Sequence, residues 1–225
     1  MSNLNILYED NHILVVVKPA NVLSQGDYTG DQDMVTLLKN YIKEKYNKPG
    51  NVYLGLVHRL DRPVGGTMVF AKTSKAASRL SEQIRQRSFK RTYIAVVANG
   101  SLKDTDTLVH YLLKDKRRNK VAVVDKETIG AKEAILEYRV LARKSDLSLI
   151  EIQLHTGRAH QIRVQFNAIA SPIVGDQLYG TRGADKGVQI ALWASKITFM
   201  HPTKKEELEF CSMPEKRYPW SLFDL

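Results

Sequence analysis

Short runs of aliphatic residues broken by charged turns dominate the chain. Ile6–Tyr8 and Ile13–Val17, split by Glu9-Asp10-Asn11, predict two strands joined by a tight turn, the second closed by Lys18-Pro19. After a polar, glycine-bearing stretch from Ser24 to Asp33, Val35, Leu38 and Ile42 recur at helical spacing, backed by Leu37 and Tyr41, and Pro49-Gly50 ends that section. Met68–Ala71 predicts a strand. A helix follows from Ser74 to Gln86, with Ala77, Leu80 and Ile84 inward and Arg79, Arg85 and Arg87 outward. Thr92–Val97, Thr107–Leu113, Val121–Val124, Ala134–Leu141 and Leu147–Leu154 are rich in β-branched residues and separated by charged turns, which predicts antiparallel hairpins. Arg158–Ala170 places Ile162, Phe166 and Ile169 on one helical face and stops before Pro172. A strand pair, Ile190–Met200 and Leu208–Cys211, completes the pattern. Hairpins with a few interspersed helices predict an α+β fold.

At 225 residues, 43% of them hydrophobic, the chain has enough apolar surface for a substantial core in one domain, residues 1–225, or in two small subdomains sharing a sheet. Its only thiol, Cys211, excludes an internal disulfide, and no apolar leader opens the chain, so a reducing cytoplasm is expected. The longest aliphatic run, Ile13–Val17, is far short of the ~20 residues a membrane helix needs. A formal charge of +10 favours a polyanionic partner, because each phosphate neutralised releases counterions. That charge concentrates in two tracts, residues 85–91 and Lys114-Asp115-Lys116-Arg117-Arg118-Asn119-Lys120; the second is expected at a hairpin tip, where Arg117 and Arg118 can grip an RNA backbone.

Two blocks carry candidate chemistry. In His58-Arg59-Leu60-Asp61-Arg62-Pro63, followed by Val64-Gly65-Gly66, an acid sits before Arg-Pro, which by itself is ordinary turn chemistry. In Leu154-His155-Thr156-Gly157-Arg158-Ala159-His160-Gln161-Ile162-Arg163, a strand passes into a helix whose free N–H groups could hold a phosphate or carboxylate at Thr156-Gly157-Arg158. Arg163, beside a buried position, wants a carboxylate partner. His155 and His160 straddle the strand-to-helix boundary and lack the spacing of a zinc pair, so no metal is expected. There is no Gly-x-Ser-x-Gly elbow and no glycine-rich nucleotide loop.

Together these blocks resemble the RluA-type pseudouridine synthase family from near residue 6 to beyond residue 200. The resemblance is carried by Ile6–Asp10 through Val17-Lys18-Pro19-Ala20, by His58–Asp61, by Lys90-Arg91-Thr92-Tyr93-Ile94-Ala95, by Thr156–Arg163, by Asp176-Gln177-Leu178-Tyr179-Gly180, and by Leu192-Trp193-Ala194 with His201-Pro202. Asn21 stands where relatives usually have glycine, Val64-Gly65-Gly66 replaces Thr-Ser-Gly, and Gln165 replaces a frequent histidine. The resemblance implies the pseudouridine synthase fold, a mostly antiparallel mixed sheet in two abutting subdomains with a central active cleft. Many relatives carry an extra RNA-binding domain ahead of this region; because the opening motif begins almost at Met1, a stand-alone catalytic domain without an S4-like domain is expected.

The implied reaction breaks the bond from uracil N1 to ribose, turns the base and rejoins it through C5, with neither cofactor nor redox step. The resemblance makes Asp61 the nucleophile, attacking either uracil or ribose. It gives Tyr93 the task of stacking on the base and assisting C5 deprotonation, and Arg163 that of pairing with Asp61 and keeping it charged. Arg59 would fill the gap left by the extruded uridine and Leu192 would pack on the base. His58, Arg158, His160, Gln161 and Ile162 join Arg117 and Arg118 as expected RNA or substrate contacts. The partner is ribosomal or transfer RNA, met by a monomer with no obligate protein partner. Two rival readings remain open on these residues: a non-catalytic RNA-binding or ribosome-assembly factor, and a hydrolase releasing free uracil.

Overall fold

A computed structural model describes residues 4–100, 102–115, 117–180 and 187–225; Lys116 of the second basic tract lies outside the described residues. In chain order the elements are β1 (Asn5–Glu9), β2 (Ile13–Lys18), α1 (Met34–Lys45), β3 (Gly55–Leu56), β4 (Gly65–Ala71), α2 (Ser74–Arg85), β5 (Lys90–Ala98), β6 (Thr105–Asp115), β7 (Lys120–Val124), β8 (Lys132–Lys144), β9 (Leu147–Leu154), α3 (Gln161–Ala168), β10 (Leu192–Met200) and β11 (Glu207–Cys211). The chain divides into two compact units. The first holds Met1–Arg91 and Ala194–Ser212, the second Thr92–Trp193 and Met213–Leu225.

In the first unit the strands run β1-β2-β4-β10, with β11 on β10 and β3 on β4. The β1–β2 turn forms because Asp10 accepts from the N–H groups of His12 and Ile13 at 2.7 and 2.8 Å. Every residue of β4 is buried. Ile13 and Val15 of β2, Val69 and Ala71 of β4, Ala76 and Leu80 of α2, and Phe89, Ile197 and Phe199 make one core, in which the Phe89 and Phe199 rings stack 5.3 Å apart. Asp33 and Thr73 cap α1 and α2 by accepting from the N–H groups of Thr36 and Ala76. The buried stripe of α1 is Met34, Leu38 and Ile42, one residue earlier at its start than the expected Val35.

β4 also begins earlier than its aliphatic run predicts. Gly66 has φ 129°, and a Cβ there would lie 2.3 Å from the Ala194 carbonyl oxygen, so the strand can approach β10 only with glycine at this point. Glycines that read as loop are the condition for the strand.

The second unit is a five-stranded antiparallel sheet in the order β5-β9-β8-β6-β7. Its hairpins match the expected ones. The helix differs: α3 starts at Gln161, three residues after the expected Arg158. His160 takes a left-handed conformation (φ 51°). The Gln161 side chain accepts from the Thr156 hydroxyl (2.8 Å) and the Arg158 N–H (3.0 Å) and donates to the Ile135 carbonyl (3.1 Å). These bonds fold residues 156–160 into a loop, so Thr156-Gly157-Arg158 is not the helix N-terminus that the phosphate-cradle expectation requires. Once started, α3 is buried from Gln161 through Phe166, with Phe166 edge-on to Tyr138 at 5.3 Å.

Candidate active site

Asp61 lies half-buried in the irregular segment between β3 and β4, and its two chain neighbours are held from the segment after β2. On one side the buried Ser24 hydroxyl bonds both the carbonyl and the N–H of Leu60. On the other, the Arg62 carbonyl accepts from the Asn21 N–H at 2.8 Å and from Lys18 Nζ at 3.1 Å. The Asp61 carbonyl accepts from the Val64 N–H at 3.0 Å, turning the chain into β4. Asn21 reaches this geometry at φ 68°, a left-handed conformation that asparagine tolerates better than most residues.

Lys18 is fully buried, and its ammonium also donates to the carbonyls of Pro19 (2.9 Å) and Val22 (2.6 Å). Burial pushes its pKa down to about 7; the negative charge of Asp61 pulls it back up, and Arg62 pushes it further down. Three N–H donors meeting three carbonyls suit the protonated amine. In the sequence Lys18 reads as the end of a strand and as part of the Val17-Lys18-Pro19-Ala20 block, with no site role attached.

His58 faces inward: Nε2 accepts from the Val69 N–H at 3.1 Å and the ring packs 5.4 Å from Phe89. Burial, with the charge of Arg91 adding to it, pushes the imidazole down to about 3, so it is neutral. The expected RNA contact is thus occupied in bracing the Asp61 segment against β4. Arg59 is exposed, and Arg62 pairs with Asp31 at 2.7 Å in the loop before α1.

In the second unit Tyr93 is buried in β5, opposite Ile152 of β9, and Leu192 is buried at the start of β10. Arg163, 6% exposed, donates from Nε and Nη2 to the two oxygens of Asp176 at 2.8 and 2.7 Å. Burial pushes the Asp176 carboxyl up, but the bonds and charge of Arg163 and the N–H groups of Leu178 and Tyr179 outweigh it and hold the pKa below the usual carboxylate range. The carboxylate partner that Arg163 demands is therefore supplied at least in part by Asp176, for which the sequence alone indicates no role. Its signal is the Asp-x-x-Tyr-Gly turn, in which an aspartate caps its own following N–H groups and has a second oxygen to spare.

His160 Nδ1 is bonded to the Tyr179 hydroxyl at 2.7 Å. Gln161 and Ile162 are buried in the loop and helix, and Arg158 is exposed with Nε on the Glu133 carbonyl. Gln165, fully buried, donates to the Leu108 and Ala134 carbonyls and contacts His110 Nδ1. Arg117 and Arg118 are exposed at the β6–β7 turn, their backbone N–H groups donating to Asp115. Among the described residues no group of three His, Cys, Asp or Glu side chains could hold a metal ion.

The model of the RNA pseudouridylate synthase family matches residues 12–168. An RNA pseudouridine synthase of Aquifex aeolicus is 34% identical over 220 residues, covering 92% of this chain and 68% of the relative. Ribosomal large subunit pseudouridine synthase D of Xanthomonas campestris is 36% identical over 219 residues, covering 91% and 64%. The chain thus spans about two thirds of the length of these curated relatives. Among solved structures, human RNA pseudouridylate synthase domain containing 4 matches with a TM-score of 0.78 at 22% identity, covering 94% of this chain and 89% of that one, and shares the fold. The expected α+β architecture is therefore the pseudouridine synthase fold, and the chain belongs to the RNA pseudouridylate synthase family, as an isomerase acting on RNA.

Proposed function

We propose that the chain converts specific uridines of ribosomal RNA to pseudouridine with Asp61 as nucleophile. The observation that carries this reading is the clamp on both chain neighbours of Asp61: Ser24 on Leu60, Lys18 and Asn21 on Arg62. A carboxylate in an otherwise ordinary turn has no need of such fixing, whereas a nucleophile gains rate from a fixed position. Arg163 pairs with Asp61, Tyr93 stacks on the extruded uracil and assists loss of the C5 proton, and Leu192 packs on the base. Arg59, exposed beside the nucleophile, fills the space the uridine vacates. Arg117 and Arg118 hold the RNA backbone. The ribosomal substrate is favoured over transfer RNA by the names of the large-subunit relatives. The protein acts on it as a cytoplasmic monomer, a state that size-exclusion chromatography with light scattering tests.

The deciding experiment incubates the protein, and its Asp61→Asn variant, with unmodified large-subunit ribosomal RNA and with transfer RNA, and measures pseudouridine and free uracil. Pseudouridine from the wild type alone, with RNA binding retained by Asp61→Asn, is expected. Free uracil would instead indicate a hydrolase, and binding without either product a non-catalytic RNA-binding factor. Turnover by Asp61→Asn would remove the nucleophile assignment.

A further inference from the structure

Tyr179 sits at a junction within the second unit that the reading above leaves without a task. Its hydroxyl accepts from the N–H of Val121 at 2.8 Å and is bonded to His160 Nδ1 at 2.7 Å. The Arg163 guanidinium carbon lies 5.2 Å from the centre of its ring. Its own N–H donates to Asp176 Oδ1 at 3.1 Å, the oxygen that also receives Arg163 Nη2.

The partners of this side chain lie in three functionally distinct places. Val121 is the second residue of β7, directly after the turn that carries Arg117 and Arg118, and β7 pairs with β6 from Asp115↔Lys120 onward. His160 is the left-handed residue from which α3 departs. Arg163 lies on the first turn of that helix. The paired bonds to Asp176 fix the guanidinium within its own plane, while an aromatic face against a guanidinium opposes tilting out of it. The hydroxyl anchors that face to the base of the hairpin, so a displacement of β7 is transmitted to the surface on which Arg163 rests.

We propose that Tyr179 is a positioning residue that couples RNA held by the β6–β7 hairpin to the orientation of Arg163, so that Arg163 takes its working geometry when the hairpin is loaded. This rests on the reading above, in which Arg163 serves the chemistry and Arg117 and Arg118 hold RNA. The coupling needs both parts of the side chain: the ring for Arg163, the hydroxyl for Val121 and His160.

The test is a double-mutant cycle read by single-turnover pseudouridine formation at saturating enzyme on unmodified, in-vitro-transcribed large-subunit ribosomal RNA, with binding measured separately. Tyr179→Phe keeps the ring and the volume and is expected to slow the saturated rate about tenfold without weakening binding, and Tyr179→Leu to slow it roughly tenfold more. Arg117→Ala with Arg118→Ala is expected to weaken binding and also lower the saturated rate in the wild type. In the Tyr179→Phe background the same pair should weaken binding alone, because the path to Arg163 is already cut. Independent, multiplicative effects on the saturated rate would overturn the proposal, as would a Tyr179→Phe rate equal to wild type. Thermal unfolding separates a merely structural role, which lowers stability and leaves the saturated rate of the folded protein unchanged. A wild type that binds RNA and makes no pseudouridine overturns the underlying reading together with this one; an active wild type with inert Tyr179 substitutions overturns this one alone.

Discussion

The Ser24 hydroxyl donates to the Leu60 carbonyl at 2.7 Å and accepts from the Leu60 N–H at 3.1 Å. One buried side chain thereby does for the residue before Asp61 what a neighbouring strand does elsewhere in the sheet. Ser24→Ala leaves both backbone groups without that partner, which costs about 1–3 kcal/mol of stability. The loosened loop lowers kcat about ten- to hundredfold, with KM for RNA little changed. Chemical denaturation and steady-state kinetics read the two effects; a destabilised variant with wild-type kcat would separate the clamp from catalysis.

Asp176→Asn is expected to be more damaging. An amide offers one acceptor where Arg163 uses two, and its NH2 group would face the guanidinium. Breaking a buried pair on one side costs about 3–5 kcal/mol. Because the folded carboxyl is held below its ordinary value, the pair's contribution is complete above the unfolded aspartate pKa and is lost as pH falls through the lower folded value. Denaturation midpoints followed into acid should show a loss of stability in the wild type that Asp176→Asn lacks.

His58 sets a second acid-sensitive contribution of a different kind. Its folded pKa of about 3 lies below the ordinary 6.5, so between these values the unfolded chain binds more protons and stability falls as pH falls. The contribution is fully present above pH 6.5 and disappears through pH 3, with a slope of at most about 1.4 kcal/mol per pH unit. His58→Gln keeps an acceptor for the Val69 N–H without titrating, and should flatten that window. An unchanged pH slope would mean the imidazole is reached by solvent.

At the hairpin tip, Arg117→Ala and Arg118→Ala are expected to weaken RNA binding and reduce its salt dependence, each lost phosphate contact lowering the slope of log K against log salt by about 0.7–0.9. The melting temperature should hardly move, since both side chains are exposed. Affinity measured across a salt series decides it, and parallel lines for variant and wild type would return these arginines to an ordinary solvated surface.

Much of the fold is legible because its strands carry their own signals: β6 to β9 are rich in β-branched residues and separated by charged turns, and each lies within a few residues of its expected bounds. What stayed hidden depended on partners distant in sequence. β4 reads as beginning at Met68 because the reason for Gly66 is Ala194, more than a hundred positions on. The start of α3 is set by the Gln161 side chain reaching back to Thr156 and across to Ile135. Lys18 reads as the end of a strand until the carbonyls of Val22 and Arg62 converge on it. Asp61, Tyr93 and Arg163 stand out through resemblance, since the residues alone indicate a turn, a strand and a helix. Of the groups that hold the Asp61 segment and Arg163, Ser24 and Lys18 carry no local pattern that marks them, whereas Asp176 is marked by its Asp-x-x-Tyr-Gly turn.

The first unit joins Met1–Arg91 to Ala194–Ser212, and β10, beginning at Leu192, pairs with β11 and completes a sheet whose earlier strands end at Ala71. During synthesis the wholly buried β4 therefore waits for its neighbour while the intervening residues, about 120 of them, are made, an interval of roughly 6–24 s at ribosomal speed. Until then much of one strand edge is open to any other extended segment, including one from a second nascent copy. Helpers that shield the nascent chain over that interval should govern how much enzyme a cell obtains.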